Sequence, residues 1–198
     1  MKTPLLDLGN VILRIDFNPF VEWITERSVI HDKQTIPNLA HSSLWAEYEF
    51  GAIRKKEFIA RARSLFHAEF SDEEFEEKYC DIFPGVVPGM DDLLKELAAK
   101  GAVYCLSNTN EMHQARFLRD FPWLSQFTKI FASHEIKKRK PYPGTYQDVV
   151  EAIGIEPKDV LFFDDLSENI IGAKKAGLDA HVFESAEQVR RLWQGEPL

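Results

Sequence analysis

Strand-like apolar runs alternate with helix-like segments through residues 88–193, and this alternation constrains the fold more than any other feature of the sequence. The runs are A-V-Y-C-L, K-I-F-A-S, V-L-F-F and A-H-V-F. Gly101, Gly154 and Gly177 each follow one of the helix-like segments, as C-terminal caps do. Because helix-length connections join parallel strands, the sequence predicts an α/β fold with a parallel sheet flanked by helices.

Residues 16–87 follow a different pattern, because no strand-like run interrupts their helix-like segments. The helix-like segments of this region are 17–23, 44–50, 57–66 and 72–83. Ser71 and the acidic residues after it are typical of a helix start. We therefore predict a core formed by residues 1–15 and 88–198, with a small helical cap of residues 16–87 inserted after the first strand.

Composition narrows the class of protein. The chain has 198 residues, a formal net charge of −8 and two cysteines, Cys80 and Cys105. The negative charge argues against nucleic acid as the main partner, and two cysteines are too few for a disulfide framework. Cys105 lies in an apolar run, where it would be buried and inert. No apolar stretch reaches the roughly 20 residues of a membrane span, and a signal-peptide pattern is lacking, so we expect a cytoplasmic protein without a membrane partner.

Three acidic residues follow strand-like runs. Asp7 ends the run L-L-D, and Asp164 and Asp165 end the run V-L-F-F-D-D. In an open parallel sheet, ligands bind outside the carboxyl ends of the strands, so these three carboxylates would meet at one edge. Carboxylates held close together repel one another unless a cation lies among them. We therefore predict a Mg²⁺ site built by residues far apart in sequence.

Two further polar segments follow strand-like runs. The first, S-N-T-N at 107–110, places hydroxyl, amide and backbone N–H groups at the start of a predicted helix, an arrangement that binds phosphate. The second is the basic run K-K-R-K at 137–140, which ends at Pro141, a residue that fixes the local backbone. We expect Lys140 to reach the site and balance phosphate charge, and the rest of the run to form a solvated face.

These positions together resemble a known family. Four motifs of the haloacid dehalogenase-like hydrolase superfamily match, in order, four positions that each follow a strand-like run: Asp7, Ser107, Lys140 and Asp164-Asp165. The resemblance covers nearly the whole chain, the helical insertion included. Within the superfamily, the segments L-D-L-G-N-V-I, S-N-T-N and F-F-D-D-x-x-x-N are most similar to a group of small-capped phosphatases that act on sugar phosphates and related metabolites.

The resemblance implies a Rossmann-like core and a role for each matching residue. Asp7 would attack phosphorus and become an aspartyl phosphate. The groups that would surround Mg²⁺ are Asp7, the backbone carbonyl of Gly9, Asp164 and Asp165, with Asn169 orienting them. The residues that would hold the phosphoryl oxygens are Ser107, Asn108 and Lys140. The substrate would be a small phosphorylated metabolite, whose charge Mg²⁺ and Lys140 would mask so that a carboxylate can attack it.

One position departs from the family pattern. Most phosphatases of the superfamily carry a second aspartate two residues after the nucleophile, which protonates the leaving alcohol, and this chain has Gly9 there. Such acid–base help is typically worth about 10²–10⁴-fold in rate. The most similar group shares the glycine, so we interpret it as a variant mechanism. His113 is one candidate substitute, and its alternative interpretation is an ordinary histidine on a helix surface.

The cap is expected to select the substrate. Trp45, Tyr48 and Glu49 precede Gly51, at a position that resembles the turn after which cap helices of this group face the site. An aromatic ring and a carboxylate there could pack on a sugar and hydrogen-bond to it. Trp45 and Tyr48 have an equal alternative interpretation as core residues of the helical cap. Phe50 stands where relatives often carry arginine.

Two other classes of function stay open. Haloacid dehalogenases also use an aspartate nucleophile with a non-acidic residue two positions on, and they need no metal. The pair Asp164-Asp165 argues against them, because acids without a cation would repel a carboxylate substrate. The second class is a non-catalytic module that binds a phosphorylated metabolite and lost turnover with the acid at position 9. The sequence leaves the oligomeric state open.

Overall fold

The computed structural model describes residues 2–30 and 42–196 and contains the predicted parallel sheet. The strands are β1 (Thr3–Leu6), β2 (Leu13–Arg14), β3 (Gly85–Val86), β4 (Tyr104–Ser107), β5 (Lys129–Ala132), β6 (Val160–Asp164) and β7 (Asp179–Val182). Five of them form one sheet in the order β5-β4-β1-β6-β7, with every neighbouring pair parallel. Strands β2 and β3 pair as a short antiparallel ribbon. The α/β fold that the alternating pattern predicted is confirmed.

Helices connect these strands. The helices are α1 (Asn18–Arg27), α2 (Ser43–Glu49), α3 (Lys55–Phe66), α4 (Asp72–Tyr79), α5 (Met90–Lys100), α6 (Glu111–Asp120), α7 (Ser133–Ile136), α8 (Pro143–Ile153), α9 (Ser167–Lys175) and α10 (Ala186–Gln194). Ser71 begins α4 with a capping box, in which its hydroxyl accepts from Glu74 N at 3.0 Å and its N–H donates to the Glu74 carboxylate at 2.9 Å. The helix predicted over 72–83 ends earlier, at Tyr79. None of the described helices is long and apolar enough to cross a membrane.

The centre of the sheet is apolar on both faces, which fixes the position of the residue after β1. Leu5 and Phe162 belong to the core on one face, and Leu6 and Phe163 belong to the core on the other. This is the alternation that a strand between two helical layers requires. The ladder continues one residue past β1, because Asp7 N donates to Phe163 O at 2.9 Å. Asp7 is therefore held by the central, most buried part of the sheet.

Helices α1 to α4 form their own apolar core. Its centre is aromatic, with Tyr48 stacked on Phe58 at 4.2 Å between ring centroids and Phe20 edge-on to Phe75 at 5.6 Å. Such pairs add stabilisation beyond the area they bury. Residues 31–41 of the predicted cap lie outside the described residues, and the cap boundaries stay a prediction.

Helix α9 lies against the loop before α8, and Gly172 is the point of contact. A Cβ added at Gly172 would lie 2.1 Å from the carbonyl oxygen of Pro141 and 2.9 Å from its carbonyl carbon. Both atoms belong to the backbone, so no side-chain movement relieves the overlap. Glycine is required here because two backbones approach closely.

We predict that Gly172→Ala lowers the free energy of unfolding. Alanine inside a helix is normally about 1 kcal/mol better than glycine. Overpacking typically costs about 1–3 kcal/mol, and an overlap with backbone belongs at the upper end of that range. Gly101→Ala is the control, because nothing lies within 4 Å of a Cβ there. Urea denaturation measures both variants, and a Gly172→Ala protein as stable as the unmodified one would contradict the close contact.

Candidate active site

A buried lysine lies between two aspartates at the carboxyl edge of the sheet. Lys140 Nζ is 2.6 Å from Asp7 Oδ1 and 2.6 Å from Asp164 Oδ2. Asp7 follows β1 and Asp164 ends β6, so neighbouring parallel strands deliver the two carboxylates, as the sequence predicted. Burial lowers the pKa of Lys140, but the two carboxylates raise it by more, so this pKa lies above its usual value. The side chain is therefore a fixed positive charge beside Asp7.

Asp164 faces the interior and holds Lys140. It is fully buried, and its Oδ1 accepts from Leu166 N at 2.9 Å and from Asn169 Nδ2 at 2.8 Å. Its Oδ2 accepts from Lys140. Asp164 does not line the cleft that contains Asp7. Asp164 therefore orients Lys140, and Asn169 orients Asp164 in turn, while its place among the metal-binding groups stays a prediction.

Asp165 points into the cleft and is held by a residue that sequence reasoning missed. Asn10 Nδ2 donates to Asp165 Oδ2 at 3.1 Å, and Asn10 Oδ1 accepts from Ile15 N at 3.1 Å. Asn10 has a φ of 54°, in the left-handed region that asparagine tolerates better than most residues. The available signal was an asparagine directly after glycine at the end of a strand.

The acidic cluster suits a hard cation. Oxygen atoms of Asp7, Asp164 and Asp165 all lie within 4.8 Å of one another. The pKa of Asp7 is raised to about 7, chiefly by burial. Lys140 lowers this pKa and Asp164 raises it, and both effects are included in that value. Burial also raises the pKa of Asp165. A cation favours the charged form of both groups, and a donor set of oxygens suits Mg²⁺. Asp7, Gly9 and Asp165 line the cleft and fit such an ion.

The segment after β4 fixes the lysine loop. Asn108 Nδ2 donates to Lys140 O at 3.1 Å, and Lys140 N donates to Asn108 Oδ1 at 3.0 Å. The Asn108 amide therefore positions Lys140 by bonding both of its backbone groups, and the phosphate-binding role of Asn108 stays a prediction. Ser107 and Thr109 are buried and line the cleft with Lys140, as the phosphate-binding prediction requires of Ser107.

The other three residues of the basic run have partners of their own. Lys137 Nζ donates to Gly51 O at 2.8 Å, Lys138 pairs with Asp148, and Arg139 pairs with Glu49 at 2.6 Å. Lys140 is the member of the run that lines the cleft.

The loop that carries Tyr142 is closed through the backbone carbonyl of Arg139. Thr145 Oγ1 donates to Arg139 O at 2.7 Å, and Tyr142 N donates to the same carbonyl at 3.2 Å. Tyr142 itself is exposed. Backbone and threonine contacts therefore close the loop.

The predicted substrate residues of the cap separate into two groups. Trp45 and Tyr48 are buried in the aromatic core of the cap, and neither lines the cleft with Asp7. Of the two interpretations left open for them, the structure supports core residues of the cap, because both rings pack against Phe58. Glu49 does line the cleft, where Arg139 pairs with it.

His113 is buried at the start of α6, so its interpretation as a helix-surface residue is wrong. Asn110 Nδ2 lies 3.0 Å from His113 Nδ1, and His113 Nε2 lies 3.0 Å from Tyr79 O. An amide that donates and a carbonyl that accepts are both satisfied by one neutral tautomer. Burial lowers the pKa of His113 to about 4. With both ring nitrogens bonded, His113 is a poor substitute for the missing acid.

The chain matches one family of known proteins over most of its length. A family model described as haloacid dehalogenase-like hydrolase matches residues 1–177. The chain therefore belongs to the haloacid dehalogenase-like hydrolase family, and the resemblance inferred from its motifs is confirmed. It is an enzyme of the hydrolase class.

Several relatives are characterised. The D-ribitol-5-phosphate phosphatase of Bacteroides thetaiotaomicron is 24% identical, and the match covers 96% of each chain. The sesquiterpene phosphatase astK of Aspergillus oryzae is 30% identical over 98% of this chain and 95% of that protein. The drimenol cyclase drtB of Aspergillus calidoustus is 26% identical over 96% of this chain, which spans 35% of that longer protein.

A solved structure gives the same fold. A HAD family enzyme of Bacteroides thetaiotaomicron, crystallised in complex with magnesium and inorganic phosphate, superposes with a TM-score of 0.83 at 28% identity. The match covers 93% of this chain and 95% of that chain.

Proposed function

We propose that this protein is a Mg²⁺-dependent phosphatase of small phosphorylated metabolites that works through an aspartyl phosphate on Asp7. The observation that carries the proposal is the placement of Lys140, 2.6 Å from Asp7, in a cleft that Asp165 also lines. A phosphate dianion entering this cleft meets a nucleophilic carboxylate, a fixed cation and a place for a second one. Relatives named as phosphatases and the magnesium–phosphate complex of a HAD family enzyme support it.

The residues that would hold Mg²⁺ are Asp7, Asp165 and the Gly9 carbonyl, which share the cleft. When bound, the ion supplies Lewis-acid stabilisation of negative charge on the phosphoryl oxygens. Asn10 keeps the Asp165 carboxylate facing the cleft. The Asp164 carboxylate pairs with the Lys140 ammonium and so fixes its position.

Phosphoryl transfer begins at Asp7. A carboxylate oxygen forms a bond to phosphorus while the bond from phosphorus to the leaving oxygen breaks, and the leaving group takes the electron pair. Lys140 and Ser107 donate to the phosphoryl oxygens, whose charge must be offset before a carboxylate can approach. Asp7 N is fixed to Phe163 of β6, so the nucleophile is held in place by the sheet. Such positioning supplies most of the catalysis in phosphoryl transfer.

Water completes the cycle by attacking the phosphorus of the aspartyl phosphate, which returns Asp7 and releases phosphate. Neither step has an acid at Gly9 to donate or accept a proton. The leaving oxygen therefore departs with its negative charge and takes a proton from water. Esters of acidic alcohols should react fastest.

Within the class of small phosphorylated metabolites, the narrower prediction is that the substrates are sugar phosphates. D-ribitol-5-phosphate phosphatase, a relative named for a sugar-alcohol phosphate, supports it, whereas the burial of Trp45 and Tyr48 removes two of the three residues on which it rested. The sesquiterpene phosphatase is named for an apolar substrate, so the relatives' names alone do not decide between a polar and an apolar substrate.

The remaining alternatives differ from a phosphatase in chemistry. A metal-independent dehalogenase would bind a carboxylate beside Asp165, whose charge opposes it without a cation. A binding module would hold phosphate without forming a bond to Asp7. The buried thiols of Cys80 and Cys105 suit a reducing compartment, and we propose the cytoplasm.

Asp7→Asn tests the function. We expect hydrolysis of 4-nitrophenyl phosphate to fall at least about 10³-fold, because the amide keeps the shape of the side chain but is a far weaker nucleophile. Chelation of Mg²⁺ with EDTA should abolish the activity of the unmodified protein. Asp148→Asn is the matched control, since that carboxylate pairs with Lys138 outside the cleft. Undiminished activity in Asp7→Asn would overturn the mechanism, and a circular-dichroism spectrum checks its fold.

Gly9→Asp tests the missing acid. The φ of Gly9 is outside the left-handed region, so its backbone conformation admits a side chain, and an added Cβ would lie 3.2 Å from Ile15 Cγ1, which must shift by a few tenths of an ångström. Across phosphate esters of graded leaving-group pKa, we expect a steep rate dependence in the unmodified protein and a flatter one in Gly9→Asp. Rates on poor leaving groups should rise about 10²-fold.

Gly9→Asn is the control for Gly9→Asp, because it occupies similar space without a titratable proton. In the unmodified protein, glucose 1-phosphate should also exceed glucose 6-phosphate, since the anomeric oxygen is the less basic leaving group. A flat profile where chemistry limits turnover would show that another residue supplies the proton.

A further inference from the structure

The cleft that contains the catalytic groups is also lined by large apolar side chains. The cleft has a volume of about 470 Å³, within the usual range for small-molecule sites. Besides Leu8, which directly follows Asp7, its lining contains five large apolar side chains: Ile15, Phe17, Ile82, Phe83 and Leu166. We call this set the apolar wall. Phe17 is 41% exposed and Leu166 is 49% exposed, although both are large apolar side chains. Single exposed apolar residues are ordinary, but several in one cleft mark a binding surface.

The wall has an aromatic corner around His113. The His113 ring lies 6.2 Å from the Phe17 ring and 5.8 Å, edge-on, from the Phe83 ring. Asn110 and Tyr79 bond its two nitrogens, so the imidazole stays neutral and presents a ring face to its neighbours. Phe17 begins α1 and Phe83 follows α4, so the corner lies where the chain enters and leaves the helices of the cap.

The wall offers few groups that could recognise hydroxyls. Among the described cap residues that line the cleft, the charged one is Glu49, and its carboxylate is paired with Arg139 at 2.6 Å. A sugar placed against Ile15, Phe17 and Phe83 would exchange hydrogen bonds with water for contacts with hydrocarbon. Burying hydroxyls without partners is unfavourable, whereas burying an apolar ring there is favourable.

We propose that the apolar wall is a leaving-group subsite and that the substrates are phosphate monoesters of apolar, phenol-like alcohols. The inference rests on the proposed function, because Asp7, Ser107 and Lys140 must hold the phosphoryl group for the alcohol to reach the wall. Two independent features select the same class. The wall favours an aromatic hydrocarbon, and Gly9 favours an alcohol acidic enough to leave without a proton.

The reaction needs no reactant other than the ester and water. The Asp7 oxygen forms a bond to phosphorus, the bond from phosphorus to the aryl oxygen breaks, and the phenolate leaves with the electron pair. Solvent water then protonates the phenolate in proportion to its pKa. A phenolate spreads its charge over the ring, which lowers the basicity of the leaving oxygen.

A substrate pair tests the subsite while leaving-group basicity stays nearly constant. Phenyl phosphate and 4-propylphenyl phosphate release phenols of similar pKa and differ by three carbons. Each methylene that enters the wall should raise kcat/KM about fourfold, which corresponds to about 0.8 kcal/mol. We expect 4-propylphenyl phosphate to exceed phenyl phosphate by at least tenfold, and to exceed glucose 1-phosphate by more.

Phe17→Ser provides the matched variant. Phe17 is 41% exposed and directly precedes α1, and a circular-dichroism spectrum checks the fold of the variant. Its kcat/KM for 4-propylphenyl phosphate should fall about fivefold or more, and that for phenyl phosphate should fall by a smaller factor, because its shorter leaving group reaches less of the wall. Leu118→Ser is the control, because Leu118 is 42% exposed and does not line the cleft.

The outcomes separate this inference from the function on which it rests. Equal rates on the two aryl esters, or a faster rate on glucose 1-phosphate, would overturn the subsite and leave the phosphatase intact. A uniform loss on both esters in Phe17→Ser would also overturn it. Absence of Mg²⁺-dependent hydrolysis of all three esters, glucose 1-phosphate included, with the protein folded by circular dichroism, would overturn the proposed function and the subsite together.

Discussion

The ammonium of Lys140, buried between Asp7 and Asp164, is the interaction on which the rest of the site depends. Removing one partner of a buried ion pair typically costs about 3–5 kcal/mol, because it leaves an uncompensated charge. Several contacts of the fold keep Lys140, Asp7 and Asp164 in place. Neighbouring parallel strands fix the two acids, and Asn108 holds the backbone of Lys140 with two hydrogen bonds. Gly172 lets α9 pack closely on the same loop.

Much of this arrangement could be predicted from the sequence, because strand ends are local features. Asp7 and Asp165 follow apolar runs, and parallel strands bring such ends to one edge. The orientation of each side chain depends on distant partners and could not be predicted. Asp164 turns inward because Asn169 and Lys140 bond both of its oxygens. Trp45 serves the cap core because Phe58 and Phe66 lie against it, which the local pattern leaves undetermined.

We infer that the missing acid at position 9 and the apolar wall favour the same kind of phosphate ester. We propose that a site with glycine at position 9 transfers phosphate best from alcohols that leave without protonation. A wall of phenylalanine and isoleucine side chains binds hydrocarbon best. Both features lie in the same cleft as Asp7, one on the turn after β1 and the other mainly on the ends of the cap. The core sets the type of reaction, and we infer that the apolar wall narrows the choice of ester.

Trapping the intermediate tests the central claim most directly. The protein with Mg²⁺ is mixed with excess 4-nitrophenyl phosphate, denatured during turnover and reduced with borohydride, which converts an aspartyl phosphate to homoserine. Mass spectrometry of the tryptic peptide of residues 3–14 then reads position 7. We predict homoserine at Asp7, dependent on both substrate and Mg²⁺. Steady turnover with aspartate unchanged at position 7, under conditions that trap the intermediate in a control phosphatase, would contradict it.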